Sequence, residues 1–277
     1  MSTTSYPETL AELADAIGEA GRRLDDIDAV EAGAGNISAA FDWPVDLAGW
    51  FDASRDIALP HPSPALAGYT VLVTGGGCRL RQVARQPRQN LGAVRVHPGG
   101  LTGALHYLQR GNFQRPTVEF NSHLAVHQDQ ISRHGLSLHA VVHAQPPYLT
   151  FLSHIPRYQS TAALNRSLLR WQSETVVHLP EGVGYLDFMV PGSDELTRAN
   201  AAHLSHHRLV LWAKHGVMAR SSASPLQAVD LIEYVETAAR YEYLNLAAGH
   251  PARGLSAAEF GRVVQDFAVE TDLRLPD

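Results

Sequence analysis

Leu136–Pro147 reads Leu-Ser-Leu-His-Ala-Val-Val-His-Ala-Gln-Pro-Pro, and its alternation decides the fold. His139, Val141, His143 and Gln145 share one parity; Ala140, Val142 and Ala144 share the other. Side chains at i, i+2 and i+4 of a strand point to one face. The segment is therefore a buried strand with an apolar face for the core and a face carrying imidazoles and an amide. Pro146-Pro147 ends it, because proline has no N–H for the ladder. Arg208–Gly216 (RLVLWAKHG) is a second apolar strand and delivers His215 just before a glycine. Two buried strands that each deliver a histidine at one end suit a divalent cation.

Working outward, residues 8–24 carry Leu10, Leu13, Ala14, Ile17 and Ala20 at helical spacing, with Arg22 and Arg23 complementing the dipole in the last turn. Strands are expected at Asn36–Asp42, Tyr69–Thr74 and Leu91–Val96, and short ones at 175–179 and 184–190. Residues 43–68 hold four prolines and little period, which reads as a long surface excursion. Helices are expected from Thr117 to about His134, at 148–154, 161–172, 193–206, 225–248 and 256–268. Ser193-Asp194-Glu195 is a helix-start signature. The irregular alternation predicts a single α/β domain over 1–277, with a mostly antiparallel sheet flanked by helices.

Composition excludes several classes. With 22 basic against 28 acidic side chains, the net charge of -6 gives no electrostatic drive onto nucleic acid or anionic membranes. No apolar run approaches a membrane span, and MSTTSYPETL lacks the basic start and apolar run of a secretion signal. The single cysteine, Cys78, cannot pair within the chain, so a reducing, cytoplasmic setting is expected. Cys78 itself reads as a buried inert thiol. A Schiff-base mechanism would have only Lys214, which strand parity turns away from His215. The 15 histidines are the positive signal. His203, His206 and His207 fit a helix C-terminus better than a metal tract.

An ordered set of motifs carries a resemblance. Asn36-Ile37-Ser38, the Val73–Gly77 turn, Pro116-Thr117-Val118-Glu119 with His123, His143-Ala144-Gln145-Pro146-Pro147 and Lys214-His215-Gly216-Val217 resemble the class II aldolase/adducin family. Longer blocks, Asn90–Val96, Pro180–Gly184, Met189–Glu195 and Leu209–Trp212, are similar to its rhamnulose-phosphate branch. The resemblance implies a fourfold homotetramer with active sites at subunit interfaces. It also implies cleavage of a ketose 1-phosphate to dihydroxyacetone phosphate and an aldehyde, with zinc stabilising the enediolate and a glutamate shuttling the proton. Carried over by position, His143 and His215 are metal ligands, Glu119 is the catalytic carboxylate and Glu174 a second acidic residue. Asn36, Thr117 and the Gly75, Gly76 and Gly77 turn are matched to phosphate binding.

The departures are specific. Gln145 stands where the family places its middle metal histidine, and an amide oxygen is a weaker zinc donor than imidazole. His139 shares the face but lies about 13 Å down the strand. Gly76, Cys78, Val118 and Ala40 replace hydroxyls and cations that a phosphate uses; Arg79 and Arg81 are the candidate substitutes. Two alternatives stay open: a non-catalytic, adducin-like binding protein, or an epimerase or dehydratase on the same scaffold.

Overall fold

The computed structural model describes residues 7–275. The first six residues of the N-terminal stretch lie outside the described residues. The core is a nine-stranded sheet in the order β2-β5-β4-β3-β1-β6-β9-β8-β7. Its strands are β1 (Asn36–Phe41), β2 (Ala53–Ala58), β3 (Thr70–Thr74), β4 (Leu91–Val96), β5 (Thr102–Tyr107), β6 (Leu138–Ala144), β7 (Gly184–Leu186), β8 (Leu209–Trp212) and β9 (Gly216–Ser221). All neighbours run antiparallel except β7 and β8.

Helices cover both faces. The helices are α1 (Leu10–Asp26), α2 (Leu80–Val83), α3 (Pro87–Asn90), α4 (Phe120–His134), α5 (Pro147–Leu152), α6 (Thr161–Leu168), α7 (Ser173–His178), α8 (Asp194–Leu204), α9 (Pro225–Ala247) and α10 (Ala257–Asp266). Ala140, Val142 and Ala144 of β6 join α1 and α9 residues in the largest core cluster, as their parity requires. On the other face Val141 packs with Val126 of α4 and with Leu196 and Leu204 of α8. Helix α1 starts from a reciprocal cap: Thr9 Oγ1 accepts from Glu12 N–H, and the Glu12 carboxylate accepts from Thr9 N–H. Such caps contribute about 1 kcal/mol.

Several expectations are corrected. Residues 175–179 lie in and just after helix α7, not in a strand; Thr175 and Val176 are buried in the helix, and tertiary packing overrides their β preference. Residues 43–68 are not only an excursion, because they contain β2, an edge strand with Ser54, Arg55 and Asp56 exposed. The strand at 184–190 stops at Leu186. Helix α4 starts at Phe120, with Glu119 rather than Thr117 at its cap. Lys214 is not on a strand: it sits in the β8–β9 turn with φ 61°, exposed, while His215 turns inward. No helix among the described residues is long and apolar enough to cross a membrane.

Candidate metal centre

Three central strands and one helix start converge on a single point. Asn36 of β1 stands opposite His143 of β6, and His143 stands opposite Met218 of β9. The tight β8–β9 turn ends at Gly216, whose Cβ would meet the Ala144 carbonyl oxygen at 2.4 Å. That close approach brings His215 beside His143. Glu119 caps α4 by its backbone only, so its carboxylate is free to face the sheet.

The result is a compact triad. Glu119 Oε2 lies 3.4 Å from His143 Nε2, and Glu119 Oε1 lies 3.3 Å from His215 Nε2. One donor atom from each residue falls within 4.8 Å of the others. His143 donates from Nδ1 to the Val217 carbonyl at 2.8 Å, which leaves its Nε2 lone pair facing the centre. Trp212 stacks on His143 with ring centroids 4.8 Å apart, and its indole N–H donates to Asn200 Oδ1 at 2.9 Å. Burial works to raise the Glu119 carboxyl, but His143, the Asn36 amide and His215 outweigh it and hold the group below the usual carboxylate range. Burial, with His143, pushes His215 down to about 4. At neutral pH the centre thus holds an ionised Glu119 carboxylate and a neutral His215 imidazole, the protonation states in which these two groups bind a cation.

Gln145 lies at the edge of this centre. Its Nε2 donates to His143 Nε2 at 2.8 Å, and its Oε1 is buried without a partner. An unpartnered amide oxygen on a residue bonded to His143 fits a cation as a fourth donor, an oxygen beside two imidazole nitrogens and a carboxylate oxygen.

The other expected residues are placed as follows. Asn36 has both amide atoms engaged: its Nδ2 donates to Glu119 Oε2 at 2.8 Å and its Oδ1 sits 2.6 Å from His123 Nε2. The Gly75 and Gly76 amides are engaged, by the carbonyls of Asn90 and Arg115. Only Gly77 keeps an amide with no protein acceptor among the described residues. Thr117 Oγ1 accepts weakly from Glu119 N–H at 3.4 Å. Arg81 is paired with Asp25. Glu174 is exposed on α7 and is not brought to the triad within this chain. Burial raises the Cys78 thiol, as an inert side chain requires.

Two residues escaped the sequence reading. Trp212 closes the RLVLW strand, where an aromatic is ordinarily core. Arg115 runs beside Gly76, with Nε 3.7 Å from where a Cβ at that position would stand. Its signal was only its place two residues before Thr117.

The chain belongs to the class II aldolase and adducin family: residues 15–243 match the model "Class II Aldolase and Adducin N-terminal domain". Within that family the chain is 33% identical over 246 residues to the rhamnulose-1-phosphate aldolase of Escherichia coli O7:K1, covering 86% of this chain and 87% of the relative. The corresponding enzyme of Citrobacter koseri is 34% identical over 192 residues, 68% of each chain. Among solved structures, a sugar-phosphate aldolase from Thermotoga maritima superposes with TM-score 0.72 at 27% identity, over 88% of this chain and 98% of that one. An L-fuculose 1-phosphate aldolase shares the fold, with TM-score 0.57 at 19% identity over 96% and 99% of the two chains.

Proposed function

We propose that this protein is a metal-dependent aldolase that cleaves a ketose 1-phosphate of the rhamnulose type to dihydroxyacetone phosphate and an aldehyde. The observation that carries this reading is the Glu119–His143–His215 triad, each residue offering one donor atom within 4.8 Å of the others. His143, His215 and Glu119 would hold the cation, zinc or another divalent ion, with the Gln145 carbonyl beside them. A cation held there would supply Lewis-acid stabilisation of the negative charge that develops when the carbon–carbon bond breaks.

The protein's own residues then have distinct tasks. Glu119 is ionised and nearly dry, and it moves the proton between the substrate's hydroxyl and the carbon released by bond cleavage. Trp212 and the Val217 carbonyl hold the His143 ring and its tautomer. The phosphate is received by the Gly77 amide, the Thr117 hydroxyl and Arg115, a cation in place of the hydroxyls and lysine this turn lacks. The lone lysine is exposed and takes no part.

Assembly belongs to the same reading. Val118, Phe188 and Val190 are 64%, 57% and 64% exposed, and Val118 adjoins Gly192 near the triad. Large apolar side chains beside a polar centre suit a subunit interface. A cytoplasmic homotetramer would cover them and bring Glu174 of one subunit to a neighbour's centre, on the aldehyde side.

One observation favours a competing reading: the Gln145 amide occupies the His143 lone pair, as in a binding protein with a degenerate site. Metal analysis of protein purified without chelator, followed by assay of dihydroxyacetone phosphate release from L-rhamnulose 1-phosphate, decides between them. Stoichiometric metal and product release are expected. Metal-replete protein that releases no product from rhamnulose or fuculose 1-phosphates overturns the aldolase reading.

A further inference from the structure

Behind the triad, between α4 and the middle of the sheet, runs a buried series of hydrogen bonds that the chemistry above does not use. Asn36 Nδ2 lies 2.8 Å from Glu119 Oε2, and Asn36 Oδ1 lies 2.6 Å from His123 Nε2. His123 Nδ1 lies 2.6 Å from Ser38 Oγ, which lies 2.8 Å from His127 Nε2. His127 Nδ1 lies 2.7 Å from His139 Nδ1. Ser38, His123, His127 and His139 are all 0% exposed, so bulk water does not reach them. At the far end His139 Nε2 is buried with no partner.

The direction of every bond follows from one end. An ionised carboxylate only accepts, so Asn36 must present its NH2 to Glu119 and its carbonyl to His123. His123 must then donate from Nε2, which leaves Nδ1 as a lone pair. A neutral imidazole has one N–H and one lone pair, and burial pushes His123 and His139 down to about 3 and His127 well below its ordinary value. Ser38 therefore donates to His123 Nδ1 and accepts from His127 Nε2–H. His127 Nδ1 accepts from His139 Nδ1–H, which leaves His139 Nε2 bare. The orphaned nitrogen is the lone pair that this ordering demands, rather than a stranded donor.

We propose that Ser38, His123, His127 and His139 are positioning residues, a polarised ladder that locks the Asn36 amide with its NH2 on Glu119 and thereby fixes the carboxylate toward His143 and His215. The ladder orders dipoles and does not conduct protons, because an amide in the series cannot hand a proton on. A reversed Asn36 would set its carbonyl oxygen against the carboxylate, and each rung resists that reversal. The functional meaning rests on Glu119 as the reacting carboxylate; the tautomers do not.

Histidine-selective 15N labelling of the full-length protein, read by magic-angle-spinning NMR without substrate and assigned with single histidine variants, tests the ladder directly. The expected pattern is N–H on Nε2 of His123 and His127 and on Nδ1 of His139. A proton on His139 Nε2 or His127 Nδ1 overturns it. Ser38→Ala is expected to split the His123 signal into two tautomers, leave His143 unchanged and lower kcat about tenfold. KM for the ketose phosphate should change less, since the phosphate groups are untouched. A Ser38→Ala protein with an unsplit His123 and an unchanged kcat reduces the ladder to packing. If that variant does not fold, the unmodified protein still decides. Correct tautomers in a protein without aldolase activity sink only the aldolase reading; activity with the wrong tautomers sinks only the ladder.

Discussion

Glu236 offers a quantitative test of how the scaffold holds Gln145. It lies on α9, is 6% exposed, and accepts from the Tyr148 and Leu149 amides at 2.8 and 2.9 Å. It therefore anchors the start of α5, immediately after Gln145-Pro146-Pro147. Burial raises its carboxyl to about 7 from 4.5, against the two amides and Arg240, which pull it down. The sign follows from proton counting. Below 4.5 both folded and unfolded states hold the proton. Between 4.5 and 7 the unfolded chain releases it and the folded one keeps it, so this group's contribution falls as pH rises. At about 1.4 kcal/mol per pH unit, the loss totals about 3 kcal/mol and levels off above 7. His123, His127 and His139, held down in the fold, act oppositely below 6.5. The useful quantity is therefore the stability difference between wild type and Glu236→Gln. The amide satisfies one backbone N–H rather than two, a pH-independent cost of about 1–3 kcal/mol. Urea unfolding of both proteins at fixed concentration from pH 4.5 to 8 should show the difference moving about 3 kcal/mol in the variant's favour. A difference that stays constant refutes the reasoning.

Gln145→His should tighten zinc binding at least about tenfold, or about 1.4 kcal/mol, by chelator competition; unchanged affinity would place residue 145 outside the centre. Arg115→Ala should raise KM for a phosphorylated ketose about tenfold and leave an unphosphorylated one unaffected; equal effects on both would remove Arg115 from the phosphate wall. Gly92→Ala should cost about 1–3 kcal/mol in urea denaturation, because its Cβ would stand 2.4 Å from Phe113 Cζ in a ring that is 1% exposed. A neutral result would mean the Phe113 ring has room to move.

The parts of the fold that depend on burial alone were legible. Strict alternation marked β6, an apolar run marked β8, and helical spacing marked α1, α4 and α9. Strand β2 was hidden because an edge strand needs no apolar face, and Ser54-Arg55-Asp56 looks like loop. Strand β9 was hidden behind His215-Gly216, where one turn joins two strands without a recognisable loop. Strand β5, Thr102–Tyr107, was missed as well. The metal candidates were legible in type and spacing, although His143 lies near the end of β6 while His215 lies in the turn between β8 and β9 rather than at a strand end. Asn36 was not, because its role depends on which partners claim its two amide atoms. Nor was the glycine turn, where two of three amides are already bonded. The surplus of histidines was visible as a count; its meaning required knowing that His123 and His127 of α4 and His139 of β6 are joined by hydrogen bonds, the first two through Ser38.

The placement of β1 between β3 and β6 has a consequence for biosynthesis. His127 and His139 are 12 residues apart, so α4 and β6 can bring them together as soon as both have left the ribosome. Asn36 and His123 are 87 residues apart, and closing that loop waits on an entropic search. Strand β1 emerges early and spends the synthesis of about a hundred further residues without the neighbour that sets the register of Asn36 on His143. The inner end of the histidine series is thus ready before the end that meets Glu119. The centre closes only when β1 is captured between β3 and β6, both synthesised after it.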